Sequence, residues 1–113
     1  MKLSERQQIF ARNVAKLIDF IFSTGYTCTL GEAYRTAQQA ALYAAQGKGI
    51  VDSLHCYRLA IDLQLFSLDG IYITDSESYK FLGDYWKTLH PDNGWGGDFS
   101  PPRVDGNHFQ MSK

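Results

Sequence analysis

Apolar residues along the chain recur first at helical spacing and later at strand spacing. Ile9, Phe10, Val14, Leu17, Ile18, Ile21 and Phe22 form one stripe at intervals of three and four, which predicts an amphipathic first helix. Ser4 followed by Gln7 reads as a capping box, and Gly25 supplies a stop. The β-branched and aromatic run "YTCTL" (26–30) predicts a strand. Thr36 is then a candidate N-cap for the Ala- and Gln-rich helix that ends at Gly47. The glycine-bearing stretch "GKGIVDS" (47–53) reads as a mobile loop that delivers the chain to His55.

From Arg58 the period becomes two. Leu59, Ile61, Leu63 and Leu65 take one face of a strand, while Ala60, Asp62, Gln64 and Phe66 take the other. Asp62 therefore points away from the most apolar face. "SLDG" (67–70) is a turn signal, and "IYI" (71–73) can pair back as a hairpin. Asp75 or Ser76 caps a third helix with a stripe of Tyr79, Phe81, Leu82, Tyr85, Trp86 and Leu89, stopped by Pro91. The Gly-, Pro- and Asp-rich segment 92–107 reads as loop, of a length that is often functional, and "HFQM" (108–111) as a last short strand. The expected class is α+β, a small central antiparallel sheet with helices packed on it, in one domain spanning 1–113.

Composition narrows the partners. The formal net charge is -1 over 113 residues, so no global field draws the chain toward nucleic acid or an anionic membrane. No apolar run approaches the roughly 20 residues of a membrane span, and the first ten residues lack the apolar region of a secretory signal. Synthesis as a soluble cytoplasmic monomer is the expectation. Cys28 and Cys56 lack CxxC spacing and read as reduced thiols. Cys56 adjoins His55, but adjacent side chains diverge in extended chain, so it reads as a packing residue.

In "SLHCYRLAID" (53–62), His55 and Asp62 stand seven positions apart. Fully extended, that separation spans about 23 Å. Two ligands of one zinc ion must each come within about 2.0 to 2.2 Å of it, so cooperation between the pair requires a bend, placed at Cys56 to Arg58. His108 opens the final strand, with Asp105 three residues before it in "DGNH". His, Asp and His make a three-ligand set with a carboxylate beside the last. A carboxylate inside an apolar strand costs several kcal/mol unless paired, and a metal ion or an arginine would resolve that cost for Asp62.

These residues carry a family resemblance. "SLHCYRLAID" resembles the S-x-H-(x)6-D motif, and "DGNHF" the (D/E)-x-x-H motif, of the zinc peptidases that include D-alanyl-D-alanine carboxypeptidases, vancomycin-resistance dipeptidases and phage L-alanyl-D-glutamate endopeptidases. "EAYRTAQQAALYAAQGKGI" (32–50) is similar to the segment in which these enzymes carry an arginine before a helix. The resemblance implies zinc held by His55, Asp62 and His108, with Asp105 as general base and Arg35 near the substrate carbonyl or carboxylate. Two imidazoles and one carboxylate leave a fourth position for water and keep the site cationic, which suits zinc hydrolysis. Arg58 stands where the family motif usually has glycine. The aspartate at 105 resembles the endopeptidase branch more than the D-alanyl-D-alanine enzymes, which carry glutamate.

Blander readings stand beside these. Arg35 reads equally as a surface residue or as Asp62's partner. Ser53 either orients substrate or caps a turn, and Trp95 either lines a substrate groove or anchors the long loop. The resulting expectation is a zinc peptidase of the peptidoglycan stem peptide, most plausibly a phage or prophage endolysin of the L-alanyl-D-glutamate type. The alternatives are a D-alanyl-D-alanine carboxypeptidase or dipeptidase, or a non-catalytic binding or phage structural protein that keeps the zinc fold.

Overall fold

The apolar stripe of the N-terminal segment winds as expected into helix α1 (Leu3–Ser23), whose Phe10, Leu17 and Ile21 are buried. The expected capping box does not form. The helix starts at Leu3, its N-cap Lys2 makes no side-chain cap bond, and the Gln7 amide instead donates to the carbonyl of Tyr57 at 2.8 Å. This long-range bond ties α1 to the turn that carries His55.

Strand β1 (Tyr26–Leu30) follows, then helix α2 (Ala37–Ala45), capped by the Thr36 hydroxyl, which accepts from Gln39 N. Strand β2 (Ala60–Ser67) is the spine of the sheet. β1 pairs antiparallel with it, from Tyr26↔Ser67 to Leu30↔Leu63. The short β3 (Tyr72–Ile73) closes the expected hairpin through Leu65↔Ile73 and Phe66↔Tyr72.

Asp75 accepts from Ser78 N and caps a 3₁₀ turn (Ser76–Tyr79) that leads into helix α3 (Lys80–Leu89). Residues 92–107 are not all loop. Asn93–Trp95 form strand β4, and Gly96–Asp98 a 3₁₀ turn. Strand β5 (His108–Met111) lies between β2 and β4, giving the order β1-β2-β5-β4. The Gly-rich sequence hid β4 because its register, Gly94↔Gln110 and Trp95↔Phe109, is set by partners distant in sequence. The computed structural model describes residues 1–113, and its three helices and five-stranded antiparallel sheet make the α+β fold expected.

The period-two reading of β2 holds. Leu59, Ile61, Leu63 and Leu65 are buried in one cluster with Leu17, Ile21, Leu82, Trp86, Phe109 and Met111 from α1, α3 and β5. Each large aliphatic side chain so buried contributes about 1.5–3 kcal/mol of transfer free energy. Asp62, Gln64 and Phe66, on the opposite face, are half-buried. That face carries the chemistry. No helix is long and apolar enough to cross a membrane.

Candidate metal centre

The seven-residue gap between His55 and Asp62 is closed by the bend the sequence called for. Leu54–Tyr57 form one 3₁₀ turn, with the Ser53 hydroxyl accepting from His55 N at 3.2 Å. Arg58 terminates that turn in the left-handed region, at φ 55° and ψ 37°. A non-glycine residue pays for this conformation. The Arg58 guanidinium lies 4.1 Å from the centre of the Tyr34 ring, a cation–π contact that offsets part of the cost. Arginine thus performs the bend for which the family pattern uses glycine.

Sheet register delivers the other two groups. Asp62 and His108 are directly opposed across β2 and β5, so their side chains leave the same face side by side. His108 Nδ1 lies 3.2 Å, and His55 Nε2 3.3 Å, from the same Asp62 oxygen. The two imidazole rings meet edge to face at 5.1 Å. One donor atom from each of the three residues lies within 4.8 Å of the others.

Each ring has a second partner. His55 Nδ1 is 3.2 Å from the carbonyl oxygen of Ala33. A carbonyl only accepts, so Nδ1 carries the proton and Nε2 keeps its lone pair toward Asp62. His108 Nε2 lies 2.8 Å from Gln110 Oε1. Gln110 was missed in the sequence, although its place two residues after His108 on a strand puts it on the same face.

The arrangement fits zinc. Two ligands at 2.0–2.2 Å from a tetrahedral zinc stand roughly 3.4 Å apart, the spacing seen between Asp62 and each imidazole. Burial pushes the Asp62 carboxyl up, but the two imidazoles beside it, which would donate to it and carry charge when protonated, outweigh burial and hold Asp62 at about 2. It is thus ionised and ready to ligate throughout the neutral range. Burial lowers His108, and its bonds to Asp62 and Gln110 outweigh that and raise it.

Asp105 lies outside the three-residue group, and its carboxylate makes no hydrogen bond within the protein. Partial burial and the charge of Asp62 push its carboxyl above the ordinary aspartate value, against the opposing pull of His108 and His55. Its backbone is held tightly: Asp105 N donates to the carbonyl of Gly96 at 3.0 Å, and His108 N to the carbonyl of Asp105 at 3.1 Å. A Cβ on Gly96 would collide with the Asp105 carbonyl and come within 2.9 Å of His108 Cβ. Gly106 is fixed from two sides, donating to Ser76 Oγ at 2.9 Å and accepting from Trp95 Nε1 at 2.6 Å. Ser76, one of two candidate caps in the sequence, serves Gly106 instead, and Gly96 carries no sequence signal, because both roles depend on loop-to-loop approach.

Arg35 does not pair with Asp62. Its Nε donates to Glu32 Oε1 at 2.7 Å, one terminal nitrogen pairs with the same oxygen, and the other donates to Ser53 Oγ at 3.3 Å. Its backbone N–H also donates to the carbonyl of His55, placing it beside the His55 turn. Glu32 itself comes within 3.9 Å of His55 Nδ1. Ser53 is buried and occupied as cap and as Arg35's acceptor. Trp95 is 5% exposed and bonded to the loop it precedes, so its contacts are those of an anchor. Both cysteines are free, and Cys56 stands apart from the group.

Known proteins share this fold. The structure of the L-Ala D-Glu endopeptidase ChiX of Serratia marcescens superposes with a TM-score of 0.74 at 17% identity, over 91% of this chain and 77% of that one. A zinc-bound E175A mutant of the vancomycin-resistance D,D-pentapeptidase VanY, from the VanB-type cassette, superposes with a TM-score of 0.58 at 19% identity, over 90% and 70% of the two chains. No curated protein matches in sequence. The family model described as D-alanyl-D-alanine carboxypeptidase matches residues 46–111, a stretch that runs from before the His55 turn through β5. That match covers more than half of the chain, which therefore belongs to the D-alanyl-D-alanine carboxypeptidase family of zinc metallopeptidases acting on peptidoglycan.

Proposed function

We propose that the chain is a peptidoglycan endopeptidase that cleaves within the stem peptide, at the L-alanyl-D-glutamate bond, as a phage or prophage endolysin does. The whole chain is taken as one catalytic unit. In this reading zinc is held by His55 Nε2, Asp62 and His108 Nδ1, and Asp105 is the general base. The observation that carries it is the convergence of two imidazole nitrogens, from the His55 turn and from β5, on one oxygen of Asp62 in β2.

Bound zinc supplies Lewis acidity, which polarises a carbonyl and acidifies water. Asp105, free of the ligand group, takes the proton of the attacking water on a carboxylate oxygen and hands it to the leaving nitrogen. Its raised pKa suits both halves of that exchange. Arg35 steadies the substrate carbonyl through N–H groups that Glu32 and Ser53 leave free, since a guanidinium has five and three are engaged.

The pairing of Arg35 with Glu32 supports an endopeptidase. Glu32 compensates the guanidinium charge, so Arg35 is a hydrogen-bond donor more than a net cation, which suits a mid-peptide carbonyl better than a free terminal carboxylate. The closer fold match to the endopeptidase and the aspartate base point the same way. The second reading, removal of a terminal D-alanine, is favoured by the family's description. Mass spectrometry of purified peptidoglycan digested with zinc-loaded protein separates them. New amino termini on D-glutamate are expected; loss of D-alanine alone would move the assignment to the carboxypeptidase branch.

A further inference from the structure

We propose that Gln110 is a positioning residue that makes Nδ1 of His108 its metal-facing nitrogen, an inference that rests on His108 being a zinc ligand. A neutral imidazole has one N–H and one lone pair. The partner at one nitrogen thus decides what the other offers. Each ring nitrogen faces an acceptor, Gln110 Oε1 2.8 Å from Nε2 and an Asp62 oxygen 3.2 Å from Nδ1; the shorter contact favours the proton on Nε2, which leaves the lone pair of Nδ1 for a metal ion held with Asp62.

The sheet fixes Gln110 for this task. It is opposed by Ala60 on β2 and by Gly94 on β4, neither of which has the bulk to lift its side chain off the sheet. A Cβ on Gly94 would lie 3.6 Å from both Cγ and Nε2 of Gln110, so the glutamine runs flat over that glycine to reach His108. His55 receives the same service from a backbone carbonyl, that of Ala33 at Nδ1. The two histidines consequently present opposite nitrogens, Nε2 from His55 and Nδ1 from His108.

Gln110 differs from the carbonyl in one respect. Its amide can present oxygen or NH₂. Turned about, the NH₂ would donate to Nε2, the His108 proton would move to Nδ1 and donate to Asp62, and no lone pair would remain for a metal. The orientation of this side chain therefore selects between a metal-accepting and a metal-refusing form of His108. Glutamate offers only the acceptor, and methionine fills similar space with neither.

The test measures zinc affinity by competition with a chromophoric chelator at one fixed pH, for wild type, Gln110→Met, Gln110→Glu and His108→Ala. It is joined by ¹⁵N NMR of the neutral His108 ring in metal-free protein. Gln110→Met is expected to weaken zinc binding about 10- to 100-fold, the usual effect of losing such a partner, and to shift the ring away from the Nε2–H form. Gln110→Glu is expected to retain that form and wild-type affinity or better. A Gln110→Met protein within about twofold of wild type, while His108→Ala loses zinc, overturns the role of Gln110 alone. Undiminished affinity in His108→Ala overturns the ligand assignment beneath it. Should Gln110→Met fail to fold, the wild-type spectrum decides, because an Nδ1–H ring in the metal-free protein contradicts the proposal.

Discussion

Asp62 and His108 are directly opposed across β2 and β5, with His108 Nδ1 3.2 Å from an Asp62 oxygen. A sheet register, rather than a flexible loop, thus sets the distance between two of the three donors. Only His55 must be brought in by a turn, which the Ser53 cap holds at its start and the Arg58 bend and the Gln7 bond to Tyr57 hold at its end. Sites built on strands are held more closely than sites on loops, which favours tight metal binding.

Asp105→Asn is expected to keep zinc and lose activity by about 10² to 10⁴ in rate, the usual worth of general acid-base catalysis. Muropeptide release and elemental analysis measure the two. Loss of zinc together with activity would make Asp105 a ligand instead of a base.

The same variant has an expected stability signature. Burial and Asp62 raise the Asp105 carboxyl, so the folded state holds its proton more tightly than the unfolded state does. Ionised Asp105 therefore costs stability above its folded pKa, and that cost vanishes below about 3.9, where both states are protonated. Metal-free Asp105→Asn should be at least as stable as wild type at pH 7, with the difference closing in acid. Denaturant melts at the two pH values check the sign, and a variant less stable at pH 7 than at pH 3 relative to wild type contradicts it.

Tyr79→Phe should destabilise the fold without touching the chemistry. The Tyr79 hydroxyl accepts from Leu65 N at 2.9 Å and donates to the Ile73 carbonyl at 2.7 Å, joining α3's approach to the β2–β3 hairpin. Its loss strands a buried N–H, at a cost of about 1–3 kcal/mol. Urea unfolding measures this, and zinc affinity of the folded variant should be unchanged.

Gly96→Ala is expected to damage both fold and site, since the added methyl group meets the Asp105 carbonyl and His108 Cβ. Overpacking of this kind costs about 1–3 kcal/mol. Displacement of the segment 105–108, a strap lying over Gly96, should also lower turnover at saturating zinc. A variant with wild-type melting and turnover would show that the strap has room to move.

Arg35→Lys tests the guanidinium. Lysine cannot reproduce the paired bonds to Glu32 together with the bond to Ser53. A fall in kcat/KM of about 10² or more, on the scale of losing one oxyanion donor, is expected with full zinc content. Unchanged turnover would leave Arg35 as a structural partner of Glu32.

Much of this molecule was legible in its residues because the informative patterns are local. The 3.6-residue stripe of α1, the alternation of β2 and the paired motifs around His55, Asp62 and His108 all survive in the structure. What escaped is what depends on distant partners. Gln7 has the spacing of a cap but reaches Tyr57, and β4 has the composition of a loop, its poor strand propensity being compensated by pairing with β5. The contacts that bury the Trp95 ring likewise come in part from another element, Gly83 of α3 as well as nearby Gly97. Arg35 found its counter-ion in Glu32, three residues away, a pairing the sequence did contain.

The position of bound zinc decides whether His55, Asp62 and His108 are its ligands. A crystal of the zinc-loaded protein, measured at the zinc absorption edge, should show one anomalous peak about 2.0–2.2 Å from His55 Nε2, His108 Nδ1 and an Asp62 oxygen, with Asp105 off the metal. A peak elsewhere, or a His55–Asp62–His108 group without zinc in protein that still cleaves peptidoglycan, would contradict this assignment.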